Sequence, residues 1–194
     1  SEKSLKHIKN AINCASLLGS EKIGFHAGFL IDIPVKEIGL KIKNQKLFNK
    51  TLALNRFIDN YNIILSLSKE KKVDLYIENN VLSNENYFNF GCNPFFLVTS
   101  SEISFFNDNL TDFKYIFDYA HSFVSSKTLG LNVNEEFNNF AAKTDYIHLS
   151  DNNGKIDSNI HIQKDSCIYK HLYKNPPLNK TITLEIYSGL NELK

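Results

Sequence analysis

Apolar residues recur along this chain with two alternating periods. Leu5, Ile8, Ile12 and Ala15 fall at helical spacing and stop before Gly19, which predicts a helix closed by a residue free to turn left-handed. KIGFHAGF (22–29) then reads as a short buried strand ending in His26 and a small-residue turn. The helical period returns in Leu47, Thr51, Leu54, Ile58, Tyr61 and Leu65, and VDLYIENN (73–80) follows as a strand ending in Glu78. After FFLVT (95–99), Thr99 and Glu102 have the spacing of a capping box and predict the start of a short helix. FKYIFDYAH (113–121) reads as a strand with an apolar body and with Asp118 and His121 at its tip. NVNEEFNNFAAK (132–143) is helical in pattern, TDYIHLSDN (144–152) is a strand ending in His148, and TITLEIY (181–187) is a last strand ending in Glu185.

Apolar strands separated by amphipathic helices predict an α/β fold, a parallel sheet covered by helices and either doubly wound or closed into a barrel. At 194 residues the chain is long enough for one sizeable core and shows no linker, so residues 1–194 are expected to form a single domain. No G-x-G-x-x-G or P-loop accompanies any strand. What recurs instead is a metal-competent residue near the C-terminal end of strand after strand: His26, Glu78, Asp118, His148, Glu185. In a (β/α)8 barrel those ends converge on one face, and that face carries the chemistry.

Composition narrows the choice of partner. The hydrophobic fraction of 42% and the charged fraction of 22% are those of a soluble globular domain. Lys and Arg total 22 against 21 for Asp and Glu, and Arg56 is the single arginine, so little attracts a phosphate backbone or an anionic membrane. Nucleic acid is therefore disfavoured as a partner, and a small molecule is favoured. Cys14, Cys92 and Cys167 are odd in number and form no C-x-x-C pair, which fits a reducing compartment. With no membrane-length apolar run and no signal-peptide h-region, the expected location is the cytoplasm. Met is absent even at position 1, which suggests a trimmed, processed or incompletely represented chain. An oligomer is compatible with all of these features.

FHAGF, YIENN, FDYAH, YIHLSDNNGK and LEIY, in this order and spacing, resemble the motifs of the xylose isomerase-like TIM barrels, a superfamily of sugar isomerases and epimerases and of endonuclease IV-type enzymes. The resemblance implies that the five strands correspond to the last five of the barrel, with the first three βα units outside this chain; such barrels need about 250 residues. It also implies a divalent ion (Mn, Mg, Co or Zn) held by Glu78, Asp118, His148 and Glu185, matching the family's Glu, Asp, His, Glu set. Carboxylate oxygens and one imidazole suit a hard or borderline cation, and four of them leave positions open for substrate. In the sugar-converting members Glu78 and Glu185 would flank the carbon that loses and regains a proton, one as base and one as acid, with the metal stabilising the intervening enediolate. His121 resembles the substrate-contacting histidine of D-x-x-H, and His26 an accessory ligand or hydroxyl contact. His161 belongs with them as a substrate-binding candidate.

Other polar residues receive plainer expectations. His7 and His171 lie outside the strand tips and are expected at the surface, His171 in a loop. Asp151 belongs to Asp-Asn-Asn-Gly, strong turn chemistry, and Lys155 just after it is expected to be a solvated charge. Departures from the motifs separate the branches. Endonuclease-like members carry an aspartate two residues before the histidine after the HLSDN-type strand; here that place is Asn159, and Asp157 is four residues before His161. An amide is a poor zinc ligand. The leading expectation is a metal-dependent isomerase or epimerase of a sugar or sugar phosphate. The alternatives are a zinc phosphodiesterase acting on abasic DNA and a barrel that binds a polyhydroxylated ligand without turning it over.

Overall fold

The computed structural model describes residues 2–33, 41–43 and 45–187. Five strands, β1 (Lys22–His26), β2 (Asp74–Glu78), β3 (Tyr115–Asp118), β4 (Tyr146–Leu149) and β5 (Thr181–Leu184), form one sheet. All pairings are parallel, and spatial order equals chain order. Helix α1 (Glu2–Leu17) precedes β1; parallel neighbours need crossovers, and these are supplied by helices α2 (Lys50–Lys71), α3 (Asn84–Phe90), α4 (Ile103–Asn109), α5 (Tyr119–Leu129), α6 (Val133–Ala141) and α7 (Cys167–Lys174). The result is the expected incomplete α/β barrel. No described helix is long and apolar enough to cross a membrane.

The pleat sends alternate side chains to opposite faces of each strand. Leu75, Ile77, Tyr115, Phe117, Ile147 and Leu149 point outward and are buried with Ile12 of α1, Tyr61 of α2, Phe137 and Phe140 of α6 and Ile168 of α7. The Phe117 and Phe140 rings stack at 5.0 Å, which fixes α6 against β3. The other parity, Tyr76 and Glu78, Ile116 and Asp118, Tyr146 and His148, shares the inner face. Pairing in register puts His26 opposite Glu78 and Asp118 opposite His148.

Helix starts follow the side chains that accept their free N–H groups. Asn49 caps α2 by accepting from Leu52, and Asn132 caps α6 by accepting from Asn134 and Glu135. The expected signal at Thr99 is realised: the Glu102 carboxylate accepts from the N–H groups of Leu97, Val98 and Thr99, closing a 3-10 turn that leads into α4.

Two expectations need correction. FKYIFDYAH is not strand to its end. The Asp118 carboxylate accepts the N–H of His121 at 2.7 Å and starts α5, so His121 sits in a helical first turn rather than at a strand tip. His171 is not a surface loop residue either. Ser166 caps α7 by accepting from Tyr169, and His171 faces inward, 4% exposed, with its ring 5.1 Å from Phe137 and 5.6 Å from Tyr119. Burial lowers its pKa and keeps the ring neutral in that apolar setting. His7 is exposed on α1 as expected.

Candidate metal centre

Four strands bring Glu78, Asp118, His148 and Glu185 together, with one potential ligand atom from each lying within 4.8 Å of the others. Glu78 ends β2, Asp118 ends β3, His148 lies in β4, and Glu185 directly follows β5. His148 Nδ1 is the meeting point, 2.9 Å from Glu78 Oε1 and 3.1 Å from Glu185 Oε1. The site is walled by protein: Asp118 is fully buried, and the side chains of Glu78 and His148 are each 9% exposed. Glu185, at 26%, faces the opening.

The electrostatics are those of a cluster short of positive charge. Burial opposes ionisation of Glu78, but the His148 hydrogen bond and the imidazoles of His121 and His26 outweigh it and hold the carboxyl at about 2. Burial likewise opposes a charge on His148, yet its bonds to Glu185 and Glu78 lift it to about 10. Asp118 is driven the other way, up to about 7, first by burial and then by the neighbouring Glu78 and Asp157 charges. One of its oxygens caps α5, and the other, Oδ2, is buried without any hydrogen-bond partner. A buried carboxylate oxygen with no partner costs roughly 1–3 kcal/mol, more when charged. The three carboxylates, the imidazole and this orphaned oxygen fit a divalent cation, which would occupy the place now taken by a shared proton at His148.

The remaining sequence-derived residues divide. His26 Nδ1 lies 4.0 Å from Glu78 Oε2, and its ring is 5.5 Å from that of His121. Its side chain is 38% exposed at the mouth but deep enough in protein that desolvation lowers its pKa. His121 is 4% exposed and makes contacts at both nitrogens, Nδ1 with the carbonyl of Asn79 at 2.9 Å and Nε2 with Asp157 Oδ2 at 3.2 Å. Burial works against its charge, but Asp118 and Asp157 raise its pKa well above the usual value. His26, Glu78 and His121 form a second group of potential ligands. His161 joins neither group; it lies on the loop beyond β4, with Nε2 2.6 Å from Gln163 Nε2.

Other residues of this region have roles that the sequence does not announce. Asp157 partners His121 from a distant loop, a contact no local spacing signals. Asn79 and Asn80 look like turn residues, but both are buried and tie strand tips together. Asn159 is a loop anchor, accepting from the Ser150 hydroxyl at 2.8 Å and, through its carbonyl, from the Tyr187 N–H at 3.0 Å. Asp151 organises its turn as expected, accepting from Asn152 and Gln163, and Lys155 is exposed.

Comparisons with known proteins agree with this architecture. The family model described as a xylose isomerase-like TIM barrel matches residues 1–176. No curated protein matches the sequence. Among solved structures, a D-tagatose 3-epimerase-like protein superimposes with a TM-score of 0.65 at 16% identity, over 99% of this chain and 65% of that one. A protein from Thermus thermophilus soaked with zinc chloride gives a TM-score of 0.62 at 17% identity, over 96% of this chain and 64% of that one. The 3-keto-D-glucoside 4-epimerase of E. coli gives 0.60 at 10% identity, over 97% and 65%. The chain thus spans just under two thirds of the length of each of these three structures.

Proposed function

The chain belongs to the xylose isomerase-like TIM barrel family, and from that premise we propose that it carries the metal centre of an isomerase or epimerase acting on a sugar or sugar phosphate. The observation that carries the reading is the convergence of two carboxylates on one imidazole. Glu78, at the end of β2, and Glu185, just after β5, both reach His148 Nδ1 on β4, at 2.9 and 3.1 Å. Glu78, Asp118, His148 and Glu185 would hold the ion. When bound, that ion supplies Lewis-acid stabilisation of negative charge developing on the substrate oxygens.

The residues themselves divide the proton chemistry. Glu78 and Glu185 come from different strands to the same His148 nitrogen, and in this reading one takes the proton from the carbon next to the carbonyl while the other returns a proton to the opposite face. Walls formed by Asp118, His148 and Glu78, all less than a tenth exposed, exclude the water that would compete for those protons. His26 lines the mouth and offers a ring N–H to a substrate hydroxyl, whereas both ring nitrogens of His121 are already engaged, by the Asn79 carbonyl and by Asp157, so His121 acts beneath the mouth rather than on the substrate. The structures that the chain resembles include a D-tagatose 3-epimerase-like protein and a 3-keto-D-glucoside 4-epimerase, which supports a polyhydroxylated carbonyl substrate.

The test is separate replacement of the two glutamates, Glu78→Gln and Glu185→Gln, in the full-length protein with metal occupancy measured. With ion retained, neither variant should complete the interconversion, and solvent deuterium should still enter the substrate from one side in one of them. Near-normal turnover in both, metal bound, overturns the acid/base assignment.

The second ligand group, His26 with Glu78 and His121, favours a multinuclear zinc phosphodiesterase as the other reading. His161 stands apart from that group and Asn159 is spent on its loop. A nuclease of this kind would bind abasic duplex with affinity falling steeply as salt rises, through counterion release. Negligible binding at physiological ionic strength is expected; tight, salt-sensitive binding reverses the ranking of the two readings.

A further inference from the structure

The ladder between β2 and β3 ends early. Its last paired residues are Glu78 and Ile116, yet β3 continues two residues further to Asp118. Of those two, Phe117 turns its backbone groups toward β4, whereas Asp118 turns its N–H and carbonyl toward β2, where no strand residue meets them, in a place with no access to water. Asn79 fills the gap with its side chain. Its Oδ1 accepts the N–H of Asp118 at 2.7 Å, and its Nδ2 donates to the carbonyl of the same residue at 3.2 Å. The amide thus stands in for a peptide group, making with Asp118 both bonds that a neighbouring strand would make. The backbone of Asn79 contributes as well, since its carbonyl takes His121 Nδ1 at 2.9 Å. Asn79 is fully buried.

Asp118 is held at three points in consequence. Its N–H and its carbonyl are both bound to Asn79, and its Oδ1 is bound to the N–H of His121. With those fixed, Oδ2 is the one polar atom left over, and it is the atom without a partner. Asn80, the next residue, does a parallel task for a different part of the sheet. Its Nδ2 donates to the carbonyls of Ala27, at 3.0 Å, and Phe96, at 2.8 Å, which ties the β1 tip to the segment lying across it.

We propose that Asn79 is a positioning residue that aims Asp118 Oδ2 and the His121 ring at the metal centre. The inference rests on the metal reading above. A purely structural amide would matter for folding and leave the ion's surroundings alone; a positioning amide changes them at constant fold.

Asn80 provides the internal control, because Asn80→Ala also removes two buried side-chain hydrogen bonds, one residue away. Asn79→Ala, Asn79→Asp and Asn80→Ala are compared in the full-length protein, with cobalt(II) as the probe. Asn79→Asp keeps the acceptor for the Asp118 N–H, loses the donor, and has nearly the same size, so it guards against the alanine variant failing to fold. Cobalt affinity is measured by titration, the visible absorption bands report ligand geometry, and amide hydrogen exchange is followed at Asp118. Both Asn79 variants should bind cobalt roughly 10- to 100-fold more weakly, with shifted bands and faster exchange at Asp118. Asn80→Ala should lower thermal stability while leaving the bands in place. Unchanged bands and affinity in folded Asn79→Ala or Asn79→Asp overturn the inference alone. Failure of the unsubstituted protein to bind cobalt overturns the metal reading and the inference with it.

Discussion

The inner face of the sheet carries polar clusters at both ends, and the two are built on opposite terms. At the N-terminal ends of the strands Lys22 donates to Thr181 Oγ1 at 2.8 Å, lies 3.7 Å from Asp145, and sits over the rings of Tyr76 and Tyr146 at 5.4 and 5.5 Å. Tyr76 donates its hydroxyl to Asp145, and Lys114 pairs with Asp74 at 2.6 Å. Two cations face two carboxylates, so the cluster is neutral within itself. At the other end of the same strands, Glu78, Asp118 and Glu185 share the neighbourhood of His148, and an oxygen of Asp118 has no partner. Polar residues on a sheet face do not by themselves mark a site. What separates the two ends is the buried Asp118 oxygen, surrounded by further carboxylates, that the protein leaves unanswered.

The strongest way to break this contrast is a matched pair of substitutions, one at each end. Asp118→Asn keeps the oxygen that caps α5 but removes the charge, and manganese affinity by calorimetry should fall by more than about a hundredfold, exceeding the loss typical of outer partners. The same variant should not lower the melting temperature of chelator-treated protein, since the pKa of Asp118, raised to about 7 by burial, means that ionisation there opposes folding. An equal affinity in Asp118→Asn would remove Asp118 from the centre.

Acidity separates the ends next. Burial works against the charge on His148, but Glu185 and Glu78 raise its folded pKa to about 10, above the usual 6.5. The stabilisation it contributes is thus complete below about pH 6.5 and lost as pH rises toward 10. The raised pKa of Asp118 acts in the same direction, while the depressed one of Glu78 matters only in acid, where its contribution is lost as pH falls below about 4.5 toward 2. Chelator-treated protein should therefore melt at a lower temperature at pH 9 than at pH 6, and saturating manganese should flatten that difference. A melting temperature independent of pH over this interval would show that the cluster carries no such strain.

The smallest effect belongs to the self-neutralising end. Lys22→Met removes the cation between two rings and one partly exposed ion pair, and should cost about 1 kcal/mol in denaturant unfolding. Manganese affinity should be unchanged. A change there would mean that the two ends are coupled through the strands.

The part of the molecule that is readable from sequence is the part built from short-range repetition. His26, Glu78, Asp118, His148 and Glu185 can be found because each interrupts or closes an apolar run at a strand tip. Helix α5 is hidden because Asp118 ends a strand and caps a helix at once. Its buried positions also run nearly all round, through Tyr119, Ala120, His121, Ser122, Val124, Ser125 and Ser126, so no amphipathic stripe announces it. The inward turn of His171 depends on Phe137 and Tyr119, residues from other elements. The same holds for Asp157, whose partner His121 lies 36 residues away in the chain. Asn79 is invisible for a further reason: its side chain does a backbone's task, and composition gives no sign of that.

The two oxygens of Asp118 have a consequence for which substitutions this position can tolerate. As a helix cap alone, the site would accept Ser, Thr or Asn with little penalty, since each offers an oxygen to the N–H of His121. The second oxygen withdraws that freedom without adding any stability to defend. Ser, Thr and Asn at position 118 should therefore be nearly silent in a screen that scores folded, abundant protein and intolerant in one that scores activity, and the distance between those two profiles is a signature that a well-packed neighbour such as Phe117 cannot produce.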